Sequence, residues 1–373
     1  MDRYLRKSIE EDLKNKIVLL SGPRQVGKTT LSKNVACKTS AYLNYDDSED
    51  RKIIMSRSWD RNVELLIFDE LHKMKKWKSW IKGIYDTNES KQQILVTGSA
   101  RMDTYKKGGD SLAGRHFSYR LYPLSIAELC GQMNPDMAMD IMLRVGGFPE
   151  PFLKGSEHFY KRWRKSHLER ILREDLLDLE KVREIKLMEI LVDLLAERVG
   201  SPISFSSLAR DLEISPHTVK KWISILESLY VVFIVPPYTK KIARAILKEP
   251  KIFFYDIARV KNEIGARMEN FVALSLKKRL DFLEDTSGER NSLFYLRDKE
   301  KREVDFLTVR DQKLEWAIEV KTSDAQLSSN LKYYRERLSM VKTFQLVFNL
   351  KRDLTIGGTD IVNVGRWLAN LEA

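Results

Sequence analysis

The chain has 373 residues, more than one hydrophobic core usually serves, so two or three domains are expected. Its 43% hydrophobic content suits ordinary globular folding, and 65 Lys and Arg against 53 Asp and Glu give a formal charge of +12, a balance that favours polyanions, nucleic acid first and an acidic membrane second. Cys37 and Cys130 exclude a disulfide framework and a cysteine metal cluster. No run of about 18 apolar residues is present to span a membrane, and the stretch MDRYLRKSIEEDLKNK has no apolar signal core, so no membrane partner and a reducing cytoplasm are expected. There is no internal repeat or low-complexity linker.

The first third reads as strand, glycine loop and helix. IVLL (17–20) is a short apolar strand, GPRQVGKT (22–29) matches G-x-x-x-x-G-K-[ST], and TLSKNVA (30–36) puts Leu31 and Val35 on one helical face. Gly22 and Gly27 let the backbone aim its N–H groups at phosphate, with Pro23, Arg24, Gln25, Val26 and Thr30 completing the cradle. Lys28 reaches the β- and γ-phosphates of ATP, and Thr29 ligates Mg2+.

A second strand, ELLIFDEL (64–71), delivers Asp69 to the Mg2+ shell and Glu70 to the attacking water. A third, QILVTGSA (93–100), ends in Thr97, Gly98 and Ser99, where a hydroxyl can bond the γ-phosphate or the water. DELHKMKKWKSWIKGIYD (69–86) reads as a helix, its Trp77 and Trp80 packing the core more readily than lining a basic groove. In SLAGRHFSYRLYPLSIAEL (111–129), Arg115 is either an arginine finger, in cis or from a neighbour, or a surface arginine; Arg120, inside the strand pattern FSYRLYPL (117–124), is the second candidate.

Residues 151–200 carry leucines at three- and four-residue intervals with charge on the opposite face, a helical segment in which KRWRK (161–165), Arg170 and Arg173 are solvated or phosphate-facing. ISFSSLARDLEISPHTVKKWISILESLYVVFIVPPY (203–238) reads as two short helices and a wing strand, with Ser215 as N-cap and Pro216 opening the second helix. A winged helix of this kind puts Pro216, His217, Thr218, Lys220 and Lys221 at the end that meets DNA, with Ser201, Lys240 and Lys241 as backbone contacts; the plainer reading is protein packing.

In the last third ARMENFVALSLKKRL (266–280) is a helix carrying Glu269, LFYLRDKEKREVDFLTVR (293–310) is two strands about a charged turn, and EWAIEVKTSD (315–324) is a third. Glu319 and Lys321, two apart on a strand, project from one face, and a neighbouring strand can bring Asp305 beside them. Two such carboxylates bind Mg2+ while the lysine steadies hydroxide or developing charge; a plain cross-face ion pair is the alternative.

Taken together, GPRQVGKTT, LLIFDELHKMKKWKSWIKGIYD, ILVTGSA, LAGRHFSYRLYPLSIAEL and VGGFPEPFL resemble a group of prokaryotic AAA+ ATPases with a C-terminal domain of unknown function related to PD-(D/E)xK nucleases. The resemblance covers nearly the whole chain. It implies an α/β multidomain protein: an N-terminal P-loop AAA+ parallel-sheet domain (1–130), a helical segment (131–200), a winged-helix-like domain (201–240) and a restriction-endonuclease-like α/β domain (241–373). By the same resemblance Glu269 joins Asp305, Glu319 and Lys321 as the nuclease-like set, with Glu269, Asp305 and Glu319 on the metal. It also leaves open a homo-oligomer, since such ATPase sites are commonly completed by a neighbour. The functional expectation is an ATPase whose nucleotide state gates a DNA-binding or DNA-cutting half. The alternatives are an ATP-dependent switch that never cleaves, and a plain NTPase scaffold.

Overall fold

Runs that are apolar at every position bury both faces, the pattern of a parallel strand covered on two sides. The computed structural model describes residues 2–87, 92–98, 112–174, 182–239, 249–261, 263–323, 326–338 and 341–372. The three apolar runs of the first third are β1 (Ile17–Ser21), β3 (Leu65–Asp69) and β4 (Gln93–Thr97). With β2 (Ser40–Asn44) and β5 (His116–Arg120) they form a five-stranded, wholly parallel sheet in the order β2–β3–β4–β1–β5. Chain contacts separate a unit Met1–Tyr122 from a unit Pro123–Ala373.

In the first unit Ile17, Leu19, Leu66, Phe68, Ile94 and Val96 line one face of the sheet. Trp77 is buried against them, and the Trp80 ring meets Phe68 edge-on at 5.6 Å, so both tryptophans serve the core. The helix expected over 69–86 is shorter. Glu70 and Lys76 take left-handed backbone and Met74 is extended, which leaves a single 3-10 turn at Leu71–Lys73 and a helix only at Trp77–Asp86. The strand expected to reach Leu124 ends at Arg120; Pro123 offers no N–H to a ladder.

The second unit begins with helices, among them Pro135–Val145, Glu157–Glu174 and Val182–Ala196. The helices Phe205–Leu212 and Pro216–Ser228 follow, each started by a serine: Ser204 accepts from Ser207 N–H and Ser215 from Thr218 N–H. An antiparallel pair comes next, β6 (Val232–Val235) with β7 (Lys251–Phe254).

The long helix Ile264–Ser287 leads into a six-stranded mixed sheet. Its strands are β8 (Asn291–Arg297), β9 (Glu303–Arg310), β10 (Lys313–Lys321), β11 (Lys342–Val347), β12 (Leu354–Ile356) and β13 (Thr359–Asn363). The order is β12–β13–β11–β10–β9–β8. β8, β9 and β10 are an antiparallel meander; the helix Ser329–Arg337 then carries the chain over to β11, parallel to β10. Asn270 fixes the long helix to β7: its side chain accepts from Phe254 N–H at 2.7 Å and donates to Phe254 C=O at 2.9 Å. That clamp brings the neighbouring Glu269 to the start of β7, where Lys251 stands. Among the described residues no helix is long and apolar enough to cross a membrane.

Candidate nucleotide site and a second acid cluster

The loop after β1 takes the form its glycines permit. Gly22 sits at φ +147° and Gly27 at φ +96°, and a Cβ on Gly22 would collide with the Leu121 carbonyl. Gln25 is also left-handed, at φ 61°. Together they bend the chain tightly enough to start a helix at Lys28. Pro23 and Val26 are buried, Arg24 is partly buried, and Gln25 and Thr30 face solvent. The Lys28 ammonium folds into its own loop, donating to Gly22 C=O at 3.0 Å and Pro23 C=O at 2.7 Å.

The parallel register puts Asp69 at the end of β3 beside Asn44 of β2 and Thr97 of β4. Thr29 Oγ1 donates to Asp69 Oδ2 at 2.8 Å, Tyr42 Oη donates to the same oxygen at 2.6 Å, and Thr97 Oγ1 donates to Oδ1. Burial alone would raise the Asp69 carboxyl; the hydroxyls of Thr97, Tyr42 and Thr29 outweigh it and hold the group below its ordinary value, ionised at neutral pH. Burial and the neighbouring carboxylate raise the Tyr42 phenol. Glu70 is left-handed at φ 56°, its N–H bonded to Thr97 C=O at 3.0 Å, and Lys73 Nζ lies 3.4 Å from its Oε2. Burial raises its carboxyl. The hydroxyl of Thr29 and the ionised Asp69 are hard oxygen donors that suit a divalent cation such as Mg2+.

Arg115 does not join this site within the chain. Parallel pairing sets His116 beside Ile17 and Arg120 beside Ser21, so Arg115 stands at the far end of β1 from the loop. There Nε donates to Asp86 Oδ1 at 2.8 Å and Nη2 to Oδ2 at 3.3 Å, a pair that raises Arg115 and lowers Asp86. Arg120, the weaker candidate in the sequence, is at the loop end. Ser99, Lys240 and Lys241 lie outside the described residues.

A second cluster forms in the other unit. Lys251, wholly buried, points its ammonium between three acids: Glu303 Oε1 at 2.7 Å, Glu269 Oε1 at 2.9 Å and Asp305 Oδ1 at 3.7 Å. Burial opposes its charge, but Glu269, Asp305 and Glu303 more than offset this and raise Lys251 above the ordinary lysine value. Asp305 Oδ2 accepts from Val320 N–H at 2.8 Å, which locks β9 to β10, and Glu319 Oε1 meets Lys321 Nζ at 2.8 Å. Glu319 Oε2 is buried without a hydrogen-bond partner. Burial, then Asp305, push Glu319 up to about 7 and Glu269 up to about 8. Glu269, Asp305, Glu319 and Lys321 line one cavity of about 280 Å³.

The nuclease-like set is therefore gathered, with Glu269 engaged by a lysine that sequence reading passed over. Its only sequence signal is EVD, which sets Glu303 and Asp305 on one strand face, and a lysine opening the apolar strand KIFF. Glu319, with one buried oxygen left unpartnered, lines the cavity together with Asp305, and two carboxylates so placed are hard oxygen donors that suit a cation. Among the described residues no three His, Cys, Asp or Glu side chains are arranged to hold a metal. On the helix Pro216–Ser228, His217, Lys220 and Lys221 are exposed, Thr218 is partly buried and bonded to Ser215, and Ser201 is exposed.

Comparison with known proteins bears on each region. Residues 14–130 match the family model described as an AAA domain; 138–267 and 264–366 match two domains of unknown function, DUF8612 and DUF4143. An uncharacterised protein of Methanocaldococcus jannaschii is 24% identical over 381 residues, covering 91% of this chain and 83% of that one. An uncharacterised protein of Mycobacterium tuberculosis is 27% identical over 312 residues, covering 78% of this chain and 66% of that one. A solved structure of Thermotoga maritima RuvB aligns with TM-score 0.32 and 16% identity over 66% of this chain and 94% of that one. The AAA match and the loop geometry support an AAA+ P-loop ATPase as the class of the N-terminal region, carried in a multidomain α/β chain.

Proposed function

We propose that the chain is a Mg2+-dependent ATPase whose nucleotide state governs a DNA-engaging C-terminal half. The observation that carries the ATPase reading is the 2.8 Å bond from Thr29 to Asp69, which joins the end of the phosphate loop to the acid strand with Glu70 next in line. Gly22, Gly27 and the helix beginning at Lys28 bind the phosphates through backbone N–H groups and the helix dipole. Lys28 exchanges its two loop carbonyls for phosphate oxygens. Thr29 and Asp69 would hold Mg2+, which neutralises phosphate charge when bound. Glu70, raised by burial yet beside Lys73, takes the proton of the attacking water. Arg120, at the loop end of the sheet, or an arginine of a neighbouring copy, would meet the developing charge.

For the C-terminal half, the meander, crossover helix and acid–lysine set support a restriction-endonuclease-like domain with one divalent ion at Asp305 and Glu319. The two capped helices and the β6–β7 pair support a winged helix presenting His217, Lys220 and Lys221 to a phosphate backbone. Mg2+-dependent ATP hydrolysis, wild type against Lys28→Ala, tests the first part; no hydrolysis by either refutes it. Supercoiled plasmid with Mg2+ or Mn2+, wild type against Asp305→Ala, tests cleavage. A second reading, a switch that binds but does not cut, is favoured by Lys251 already holding Glu269; identical plasmid products from both proteins would select it.

A further inference from the structure

Lys251 is the cation that the nuclease-like pattern does not contain. It stands at the first position of β7, a strand that Asn270 clamps at Phe254 from the long helix, and its wholly buried ammonium is held by the acids around it. The Glu269 carboxylate is enclosed on both sides. Oε1 bonds Lys251, and Oε2 lies so close to Gly200, at φ +84°, that a Cβ there would sit 2.5 Å from it. Glu303 is shared between Lys251 and Arg297, the latter at 3.1 Å. What remains without a hydrogen bond is the buried Glu319 Oε2 and Asp305 Oδ1, the latter paired with the ammonium only at 3.7 Å while Oδ2 takes the Val320 N–H.

We propose that Lys251 is a tethered cation standing where a second divalent ion would otherwise sit, so that this pocket admits one exchangeable ion, at Asp305 and Glu319, and Glu269 is a ligand of Lys251 instead of the metal. Lys251 already fills the space between Glu269, Glu303 and Asp305, and its charge there stands in for that of an ion. The inference rests on reading this pocket as a divalent-ion site, and concerns how many ions it takes.

The test counts Mn2+ bound to the nucleotide-free full chain by the loss of the free-ion paramagnetic resonance signal, scoring only the ions that Asp305→Asn removes. Wild type is expected to bind one and Lys251→Ala two. Tyr295, whose ring lies 5.4 Å from the Lys251 ammonium, supplies a local probe: sensitised Tb3+ emission should rise in the Lys251 variant. Should that variant fail to fold, Lys251→Met with Glu303→Gln relieves the unbalanced charge and carries the same expectation. Two ions in wild type, or one in both proteins, overturns the tethered-cation proposal. No ion in wild type and no effect of Asp305→Asn would instead remove the underlying metal-site reading, and with it this one.

Discussion

The two acid clusters of this chain are built at the ends of strands, yet they are stabilised in opposite ways. Asp69 is surrounded by hydroxyls from Thr29, Tyr42 and Thr97, neutral donors that hold it ionised and that, on the proposed reading, would give way to a metal and its waters. Glu269, Glu303 and Asp305 are gathered around the wholly buried ammonium of Lys251. A site held by hydroxyls is poised to cycle with a ligand; a site held by a buried ion pair is a fixed part of the fold. The lesson is that the residue types at a motif do not set its chemistry until their counter-charges are known.

The comparison breaks most readily at Glu70. Glu70→Gln should lower ATP turnover by about 10²–10⁴-fold, the usual worth of a general base, while leaving nucleotide binding nearly intact. Unchanged turnover would mean that Glu70 does no proton work. Next in size, Lys251→Ala strands three acids, and removing one partner of a buried pair costs about 3–5 kcal/mol. Chemical denaturation should show that loss. A change below about 1 kcal/mol would mean the cluster is less fixed than its geometry indicates.

The pH signatures sharpen the contrast. Glu269 and Glu319 bind protons more tightly folded than unfolded, so their contribution favours folding at acid pH and is lost as pH rises through about 7 and 8. Asp69 is depressed, so its contribution is present at neutral pH and is lost only in acid. Melting of wild type from pH 6 to 9 should fall more steeply than that of Glu269→Gln; parallel curves would contradict the first assignment. For DNA, Lys220→Glu with Lys221→Glu should weaken affinity and reduce the slope of log affinity on log salt by about two. An unaltered slope would return both lysines to bulk solvent. The smallest effect is expected of Tyr42→Phe, which removes one of three donors to Asp69 at a cost of about 0.5–1.5 kcal/mol by denaturation.

Much of the candidate nucleotide site is legible in the sequence because the chemistry expected of it demands unusual backbone. Only glycine accepts the torsion at position 22 against the Leu121 carbonyl, and an apolar strand ending in Asp69–Glu70 announces itself. The helix boundary was not readable: Glu70 and Lys76 adopt left-handed torsions that neither residue favours, and these cut the expected helix short. Which of the readings of Arg115 holds within the chain is not legible locally: strand register, a long-range property, carries it to the end of the sheet away from the loop, which leaves the surface arginine or a finger for a neighbour. In the second cluster, alternation put Glu319 and Lys321 on one face as expected. Lys251 escaped notice because a lysine at the start of a strand reads as a solvated edge. Its burial depends on Asn270, Tyr295 and three acids distant in sequence.

Calorimetric titration of ATP with Mg2+ into the full chain, wild type beside Lys28→Ala, tests most directly whether the glycine loop holds a triphosphate. Saturable binding in wild type that disappears in the variant is the expected result. Silence in wild type, or equal heat from both proteins, would contradict it.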